Sequence, residues 1–194
     1  GKSRRMGGGI KSLMSFNNEN IFDKIMKRLK PQTKNIIVNC NESDVKLIKY
    51  NLTIIEDKKK GYLGPLAGIH SAMEWIKTNK PEIKWLITIP GDTPFIPKDL
   101  IDCFKNKLNS ENKIILVKYK DAIYPTIGAW NVNLLENLDQ KLNQGTRKIM
   151  DWAEQHSIGF LEFLNDKYDP FFNINTLEDL NEAKNIEIKF IKYD

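Results

Sequence analysis

Apolar positions along the chain change their period repeatedly, and each change marks an element. A short apolar stretch at 13–16 is followed by Phe22, Ile25, Met26 and Leu29 at helical spacing, with Lys24, Lys27, Arg28 and Lys30 between them. That pattern predicts an amphipathic helix, ended by Pro31. Ile36, Ile37 and Val38 are uniformly apolar and β-branched, which reads as a buried parallel strand running into Asn39-Cys40-Asn41. A helix carrying Val45, Leu47 and Ile48 comes next, then a strand at 52–55 ending in Glu56-Asp57. Beyond a loop from Lys58 to Gly64, Pro65 can open a helix that runs through Met73 and Trp75. The clearest core strand is 85–89, stopped by Pro90-Gly91-Asp92-Thr93-Pro94.

The second half repeats the alternation. A helix from about Pro97 carries Leu100, Ile101, Phe104 and Leu108, followed by strands at 114–117 and 124–130. Helices around 134–142 and 146–155 precede a strand at 158–163. Thr176-Leu177-Glu178-Asp179 has the form of a capping box opening a last helix. The polar–apolar alternation over 186–193 suggests an edge strand or tail. Strands alternating with helices, without repeats or a long linker, predict an α/β fold of three layers, α/β/α and Rossmann-like, around a mostly parallel central sheet. The length of 194 residues suits a single domain, 1–194. Such folds bind ligands at the C-terminal edge of their strands, and Asn39, Asn41, Asp57 and Asp92 each follow an apolar strand.

Composition narrows the function classes. With 41% hydrophobic and 28% charged residues the chain can bury a core, and no apolar run approaches the roughly 18 residues of a membrane span. No signal peptide is visible, so the expected setting is cytoplasmic. Cys40 and Cys103 lie far apart and there are two histidines, which argues against zinc or haem. The net charge of +5 favours anionic partners. No basic stripe interleaved with aromatics points to nucleic acid, so phosphorylated small molecules are the expected ligands.

The opening stretch concentrates that charge. Residues 1–12 hold four glycines (Gly1, Gly7, Gly8 and Gly9) together with Lys2, Arg4, Arg5 and Lys11. Glycines allow close backbone approach, and successive N–H groups form a nest for phosphate oxygens. Ile10 separates Gly9 from Lys11, so this is not a Walker A loop. Phosphate loops of α/β folds normally follow the first strand, which leads us to expect a short β-strand ahead of Gly1 in the natural protein.

Asp92, between Gly91 and Thr93 and flanked by prolines, sits in a constrained turn. A carboxylate there suits Mg²⁺, which pairs one or two carboxylates with substrate phosphates; an Asx turn capping the next helix is the alternative. Lys11, Arg4 and Arg5 can neutralise charge on a triphosphate. Asn39 and Asp57 have the donors and acceptors to read a base or ribose, against the plainer readings of Asn41 as a helix cap and Asp57 as a surface carboxylate. His70 reads as a packing residue, His156 as a cation near a helix end, and Lys58-Lys59-Lys60 as solvated charge. No Ser–His–Asp or Cys–His set is present for acyl chemistry.

Taken in order, G-K-S-R-R-M-G-G-x-x-K, N-C-N, E-D, G-P-L-A-G-I, P-G-D-T-P-F-I-P, Y-P-T and N-I-N-T-L-E-D-L resemble the molybdenum cofactor guanylyltransferase family (MobA), from Gly1 to about Ala183. The resemblance implies a nucleotidyltransferase fold and transfer of GMP from GTP to the terminal phosphate of molybdopterin or molybdenum-molybdopterin, with release of pyrophosphate. It implies nucleotide binding by Gly1, Gly7, Gly8, Lys11, Asn39, Asp57 and Asp92, and catalytic roles for Lys11, Arg5 and Asp92. It further implies Mg²⁺ on Asp92 and a molybdopterin-side cleft at Gly64, Gly68, Asn173 and Asn175. Transient contact with cofactor delivery proteins or apo-molybdoenzymes follows from the same resemblance, with no nucleic acid or membrane partner. Molybdopterin cytidylyltransferases and sugar-phosphate nucleotidylyltransferases are the related alternatives, and a non-catalytic nucleotide-binding protein is a third. The chain departs from the family pattern at Ile10, where Asp is frequent, at Leu177, where Pro is frequent, and in the Leu-Ala-Gly lead-in, of which only the last glycine is present.

Overall fold

Helix α1 (Ile21–Leu29) starts at Asn20 because Asn20 closes a capping box: its side chain accepts from the Asp23 N–H at 2.7 Å, and the Asp23 carboxylate faces the Asn20 N–H. The computed structural model describes residues 11–17, 19–41, 45–59, 64–109, 111–164 and 167–191. Contacts group the chain into two units, one of residues 1–34, 90–102 and 163–194 and one of residues 35–89 and 103–162.

In the first unit a 3₁₀ turn at Lys11–Leu13 leads into a two-residue antiparallel pair, β1 (Ser15–Phe16) with β2 (Glu19–Asn20), and then α1. The helix buries Ile21, Phe22, Ile25, Met26 and Leu29, the apolar stripe of the sequence pattern. Gln32, just past its end, ties down the 97–101 segment: Oε1 accepts from the Ile101 N–H at 2.7 Å and Nε2 donates to the Pro97 carbonyl at 3.1 Å. Helix α7 (Leu177–Ile186) opens on the expected capping box of Thr176 and Asp179. The alternation over 186–193 does not make an edge strand. Glu187–Ile191 instead continues α7 as one π-helical turn. Local packing overrides the period of two: Glu187 pairs with the buried Lys24, and Phe190 stacks on Tyr168 with ring centroids 5.9 Å apart.

The second unit carries β3 (Ile37–Asn39), α2 (Val45–Ile48), β4 (Thr53–Ile55), α3 (Pro65–Asn79), β5 (Trp85–Thr88), β6 (Ile114–Tyr119), β7 (Ala122–Asn131), α5 (Leu135–Asn143) and α6 (Ile149–Ala153). Helix α4 (Leu100–Lys107) and strand β8 (Ile158–Phe163) run in sequence across the boundary between the two units. β3 and β4 are parallel, with Asn39 opposite Ile55. β3 and β4 are less buried than their composition predicts, since Thr53 and Ile54 are exposed and Ile37 and Val38 half-buried.

A four-stranded sheet has the order β5-β7-β6-β8. β7 is antiparallel to both neighbours. β6 and β8 start together, the Ser157 carbonyl accepting from Ile114 at 3.2 Å, and four residues on Lys118 lies 3.8 Å from Glu162, so they run parallel. α3, α5 and α6 pack over this sheet around Leu66, Met73, Trp130, Leu138 and Trp152. The two indoles stack at 5.7 Å, and each N–H is satisfied, Trp130 by Thr88 Oγ1 and Trp152 by Asn137 Oδ1, both at 2.8 Å. Helices, a parallel pair and a mixed sheet make an α/β protein, the class read from the sequence. The four-stranded sheet is nevertheless mixed and not mostly parallel, because β7 forms a hairpin with β6 and runs antiparallel to β5 as well. Among the described residues no helix is long and apolar enough to cross a membrane.

Candidate active site

Parallel register assembles the cluster in the second unit. Continuing the pairing of Asn39 with Ile55 by two residues sets Asn41 opposite Asp57, and the Cys40 N–H donates to the Ile55 carbonyl at 2.8 Å on the way. Asn39 Nδ2 donates to Asp57 Oδ1 at 2.9 Å, and Asn41 Nδ2 donates to Asp57 Oδ2 at 2.7 Å. The Asp57 N–H returns a bond to Asn41 Oδ1 at 2.7 Å. Each carboxylate oxygen therefore carries one amide donor, and a carboxylate has about four acceptor sites. Asp57 keeps capacity for donors from a ligand, such as ribose hydroxyls or base N–H groups.

Asn41 is the residue that the sequence reading undervalued. Its alternation with Asn39 was the available signal, because residues two apart on a strand face the same side.

Glycines shape the same neighbourhood. Gly68, in the first turns of α3, faces the Asn39 side chain so closely that a Cβ there would lie 2.6 Å from Asn39 Oδ1 and 3.8 Å from Asp57 Oδ1. Gly64 immediately precedes α3 with φ of +74°, a conformation that disfavours a side chain, and Pro65 takes the first helical position. Asn39, Asp57 and Gly68 thus form one constellation, and Gly64 fixes the helix start beside it in sequence.

A second cluster belongs to the first unit. β5 ends at Thr88, so Asp92 lies four residues beyond the strand, in the turn of Gly91 and Asp92. Its carbonyl accepts from the Ile174 N–H at 3.0 Å, which fastens the 173–175 segment to the turn. Thr93 is fully buried, and its hydroxyl donates to Asn173 Oδ1 at 2.6 Å. The Asn175 N–H donates to Asp179 Oδ2 at 2.7 Å, linking that segment to the cap of α7. On the other side of the turn, a Cβ on Gly91 would stand 3.3 Å from Ser12 Cβ. The chain directly after Lys11 therefore abuts the residue directly before Asp92.

Gly1, Arg5, Gly7 and Gly8 (with Arg4) lie outside the described residues, and of Lys11 only the backbone is described. Asp92, Asn173 and Asn175 are thus brought together, with Lys11 next in the chain to a residue that touches the turn.

The Asp92 carboxylate is a hard oxygen donor, of the kind that suits a divalent cation. Its Oδ1 is shielded from solvent, and among the described residues no three His, Cys, Asp or Glu side chains gather into a protein-only metal cage. Mg²⁺ is commonly held in that way, by one or two carboxylates with waters and substrate phosphates completing the shell.

The histidines take no place in either cluster. His70 is buried and its Nε2 meets Asp139 Oδ1 at 2.9 Å. His156 was expected as a cation near a helix end; instead, burial, and secondarily Lys141, hold its imidazolium below the ordinary value of 6.5. Its Nε2 lies 3.1 Å from Asn137 Oδ1 and its ring meets Trp152 edge-on. A cavity of about 720 Å³ in the first unit, between α1 and the Pro94–Phe95 turn, is lined by none of the predicted residues. Two of the lysines in its wall are already paired, Lys24 with Glu187 and Lys27 with Glu19.

Comparison with known proteins meets this geometry. The model of the MobA-like NTP transferase domain matches residues 1–158. The molybdenum cofactor guanylyltransferase of Nitrobacter hamburgensis is 34% identical over 188 residues, 96% of this chain and 90% of the relative. That of a Bradyrhizobium species is 31% identical over 188 residues, 96% of this chain and 89% of its own length. The crystal structure of molybdopterin-guanine dinucleotide biosynthesis protein A from Archaeoglobus fulgidus shares the fold at a TM-score of 0.75 and 24% identity, across 98% of this chain and 96% of that one. The N-C-N, E-D and P-G-D-T-P motifs, the residues they position, and these matches agree: the chain belongs to the MobA-like NTP transferase family.

Proposed function

We propose that this protein transfers GMP from GTP to the terminal phosphate of molybdopterin, or of molybdenum-molybdopterin, releasing pyrophosphate and forming molybdopterin guanine dinucleotide. The observation that carries the reading is the Asp57 carboxylate held by Asn39 and Asn41, an acceptor site of the kind a nucleoside requires, in a chain whose full-length relatives are named guanylyltransferases. A phosphate oxygen of molybdopterin attacks the α-phosphorus of GTP. The new P–O bond forms as the bond to the β-phosphate bridging oxygen breaks, and pyrophosphate departs. No protein nucleophile is needed, so the chain contributes positioning and electrostatics.

Lys11 and Arg5, with the backbone of Gly1, Gly7 and Gly8, are assigned to the triphosphate, and Asn39 and Asp57 to the nucleoside. Asp92 is assigned to the divalent cation on which nucleotidyl transfer relies, here Mg²⁺; bound there, it offsets charge on the phosphates. Gly64, Gly68, Asn173 and Asn175 are assigned to the molybdopterin side. We read 1–194 as one nucleotidyltransferase domain, supported by a single family match that runs through segments of both units. A cytoplasmic setting and transient contact with delivery proteins or apo-molybdoenzymes belong to the same reading.

Pyrophosphate release tests it, measured with molybdopterin and GTP, CTP or ATP in the presence of Mg²⁺. Release with GTP alone is expected. A preference for CTP moves the protein to cytidylyl transfer, and no release with any nucleotide overturns the enzyme reading.

A further inference from the structure

Two lysines follow Asp57 directly, and both are paired within the second unit, Lys58 with a side chain that stays 62% exposed and Lys59 with one that is half-buried. The Lys58 N–H donates to Ser71 Oγ at 3.0 Å, and its ammonium lies 2.8 Å from Glu74 Oε1. The Lys59 ammonium lies 2.8 Å from Asp139 Oδ1 and 2.6 Å from Asn143 Oδ1, with its side chain 22% exposed. Asp139 is itself held: Oδ1 also meets His70 Nε2 at 2.9 Å, and Oδ2 accepts from Asn143 Nδ2 at 3.0 Å. Helix α3 supplies His70, Ser71 and Glu74, and α5 supplies Asp139 and Asn143 one turn apart. His70 and Ser71 are 6% and 3% exposed. The Asp139 side chain is 41% exposed and Asn143 is exposed, so the pair is partly solvated, but as part of a network it is held better than an isolated surface pair.

We infer that Lys59, gripped by Asp139 and Asn143 with His70 behind them, is a positioning residue that fixes the loop from which Asp57 presents its carboxylate. The inference rests on Asp57 taking the nucleoside. Asp57 lies beyond the end of β4, and the amides holding it, Asn39 and Asn41, are exposed. Lys58 and Lys59, next to Asp57 in the chain, link it by hydrogen bonds and ion pairs to α3 and α5, which pack on the core. Without them Asp57 would be held only by the exposed Asn39 and Asn41 side chains, and the remaining ordering of the loop on ligand binding is subtracted from affinity.

The test titrates GTP with Mg²⁺ against the full chain, Lys59→Met, Lys59→Arg, Asp57→Ala and the Lys59→Met/Asp57→Ala double variant, with thermal unfolding of each. Lys59→Met is expected to weaken GTP binding about tenfold, within the range of coupling through packed networks. Lys59→Arg, which can still pair with Asp139, stays within about threefold of wild type. In the Asp57→Ala background Lys59→Met adds no further loss of affinity, while its shift in melting temperature persists. A structural lysine would lower the melting temperature in both backgrounds without that selective loss of coupling. Wild-type affinity in Lys59→Met, or full additivity with Asp57→Ala, overturns the inference while leaving Asp57 in its role. Unchanged GTP binding in Asp57→Ala removes the nucleoside role of Asp57, and the inference falls with it.

Discussion

Gly68 and Asn39 exclude a methyl group between them: a Cβ on Gly68 would stand 2.6 Å from Asn39 Oδ1. Gly68→Ala therefore separates stability from function. In the interior of α3 the substitution favours the helix by about 0.5–1 kcal/mol, and the obstructing atom is the end of an exposed side chain that can swing aside. Swinging aside takes the Asn39 amide off Asp57. The variant is expected to melt at or slightly above the wild-type temperature and to bind GTP about tenfold more weakly, the scale of one hydrogen bond to a charged group. Calorimetric titration with thermal unfolding checks both; a destabilised variant with normal affinity would contradict the argument.

Thr93 offers the opposite separation. Its hydroxyl, fully buried, donates to Asn173 Oδ1 at 2.6 Å, and Val keeps its shape without the donor. Thr93→Val is expected to cost about 1–2 kcal/mol of unfolding free energy in urea melts, and to lower turnover by loosening Asn173. Thr93→Ser restores the donor and is expected to recover most of both. Equal stability of the Val and Ser variants would remove this bond from the account.

Asp92→Asn keeps the side chain's size and the Asp92 carbonyl bond to Ile174, so the turn is retained while the charge is lost. Pyrophosphate release is expected to fall by roughly 100-fold, because a bound cation supplies several kcal/mol to phosphate chemistry. The residual rate is expected to respond little to added Mg²⁺. A variant whose rate still rises with Mg²⁺ as the wild type's does would move the cation to another ligand.

The elements most legible in sequence are those where local chemistry and tertiary packing agree. The stripe of Phe22, Ile25, Met26 and Leu29 became α1, Thr176 and Asp179 became a capping box, and 85–89 became β5, ending one residue earlier at Thr88. Where packing and local pattern conflict, the reading failed. Ile186, Ile188 and Phe190 alternate like a strand, but the Glu187–Lys24 pair and the Phe190–Tyr168 stack hold the segment helical. Asn39, Asn41 and Asp57 could be placed together as candidates because each follows an apolar strand, where α/β sheets place ligands, and the structure does bring their side chains into contact. The contacts of Lys59 were not readable, since its partners Asp139 and Asn143 lie 80 or more residues away. No spacing rule encodes such pairs.

Proton linkage gives a prediction independent of nucleotide chemistry. Burial among Asn137 and Trp152 holds the folded-state pKa of His156 below the ordinary 6.5, with Lys141 acting in the same direction. Between the folded value and 6.5 the unfolded chain binds more protons at this site, so unfolding free energy rises with pH there. The contribution is complete above 6.5 and is lost as pH falls from 6.5 through the folded pKa. His156→Gln removes the titration and keeps a polar group near Asn137. Thermal melts from about pH 7 to about pH 5, the range in which histidine titrates, are expected to show the wild type losing stability relative to the variant on acidification. Parallel curves across that range would mean that His156 is solvated in the folded protein and titrates as it does in the unfolded chain.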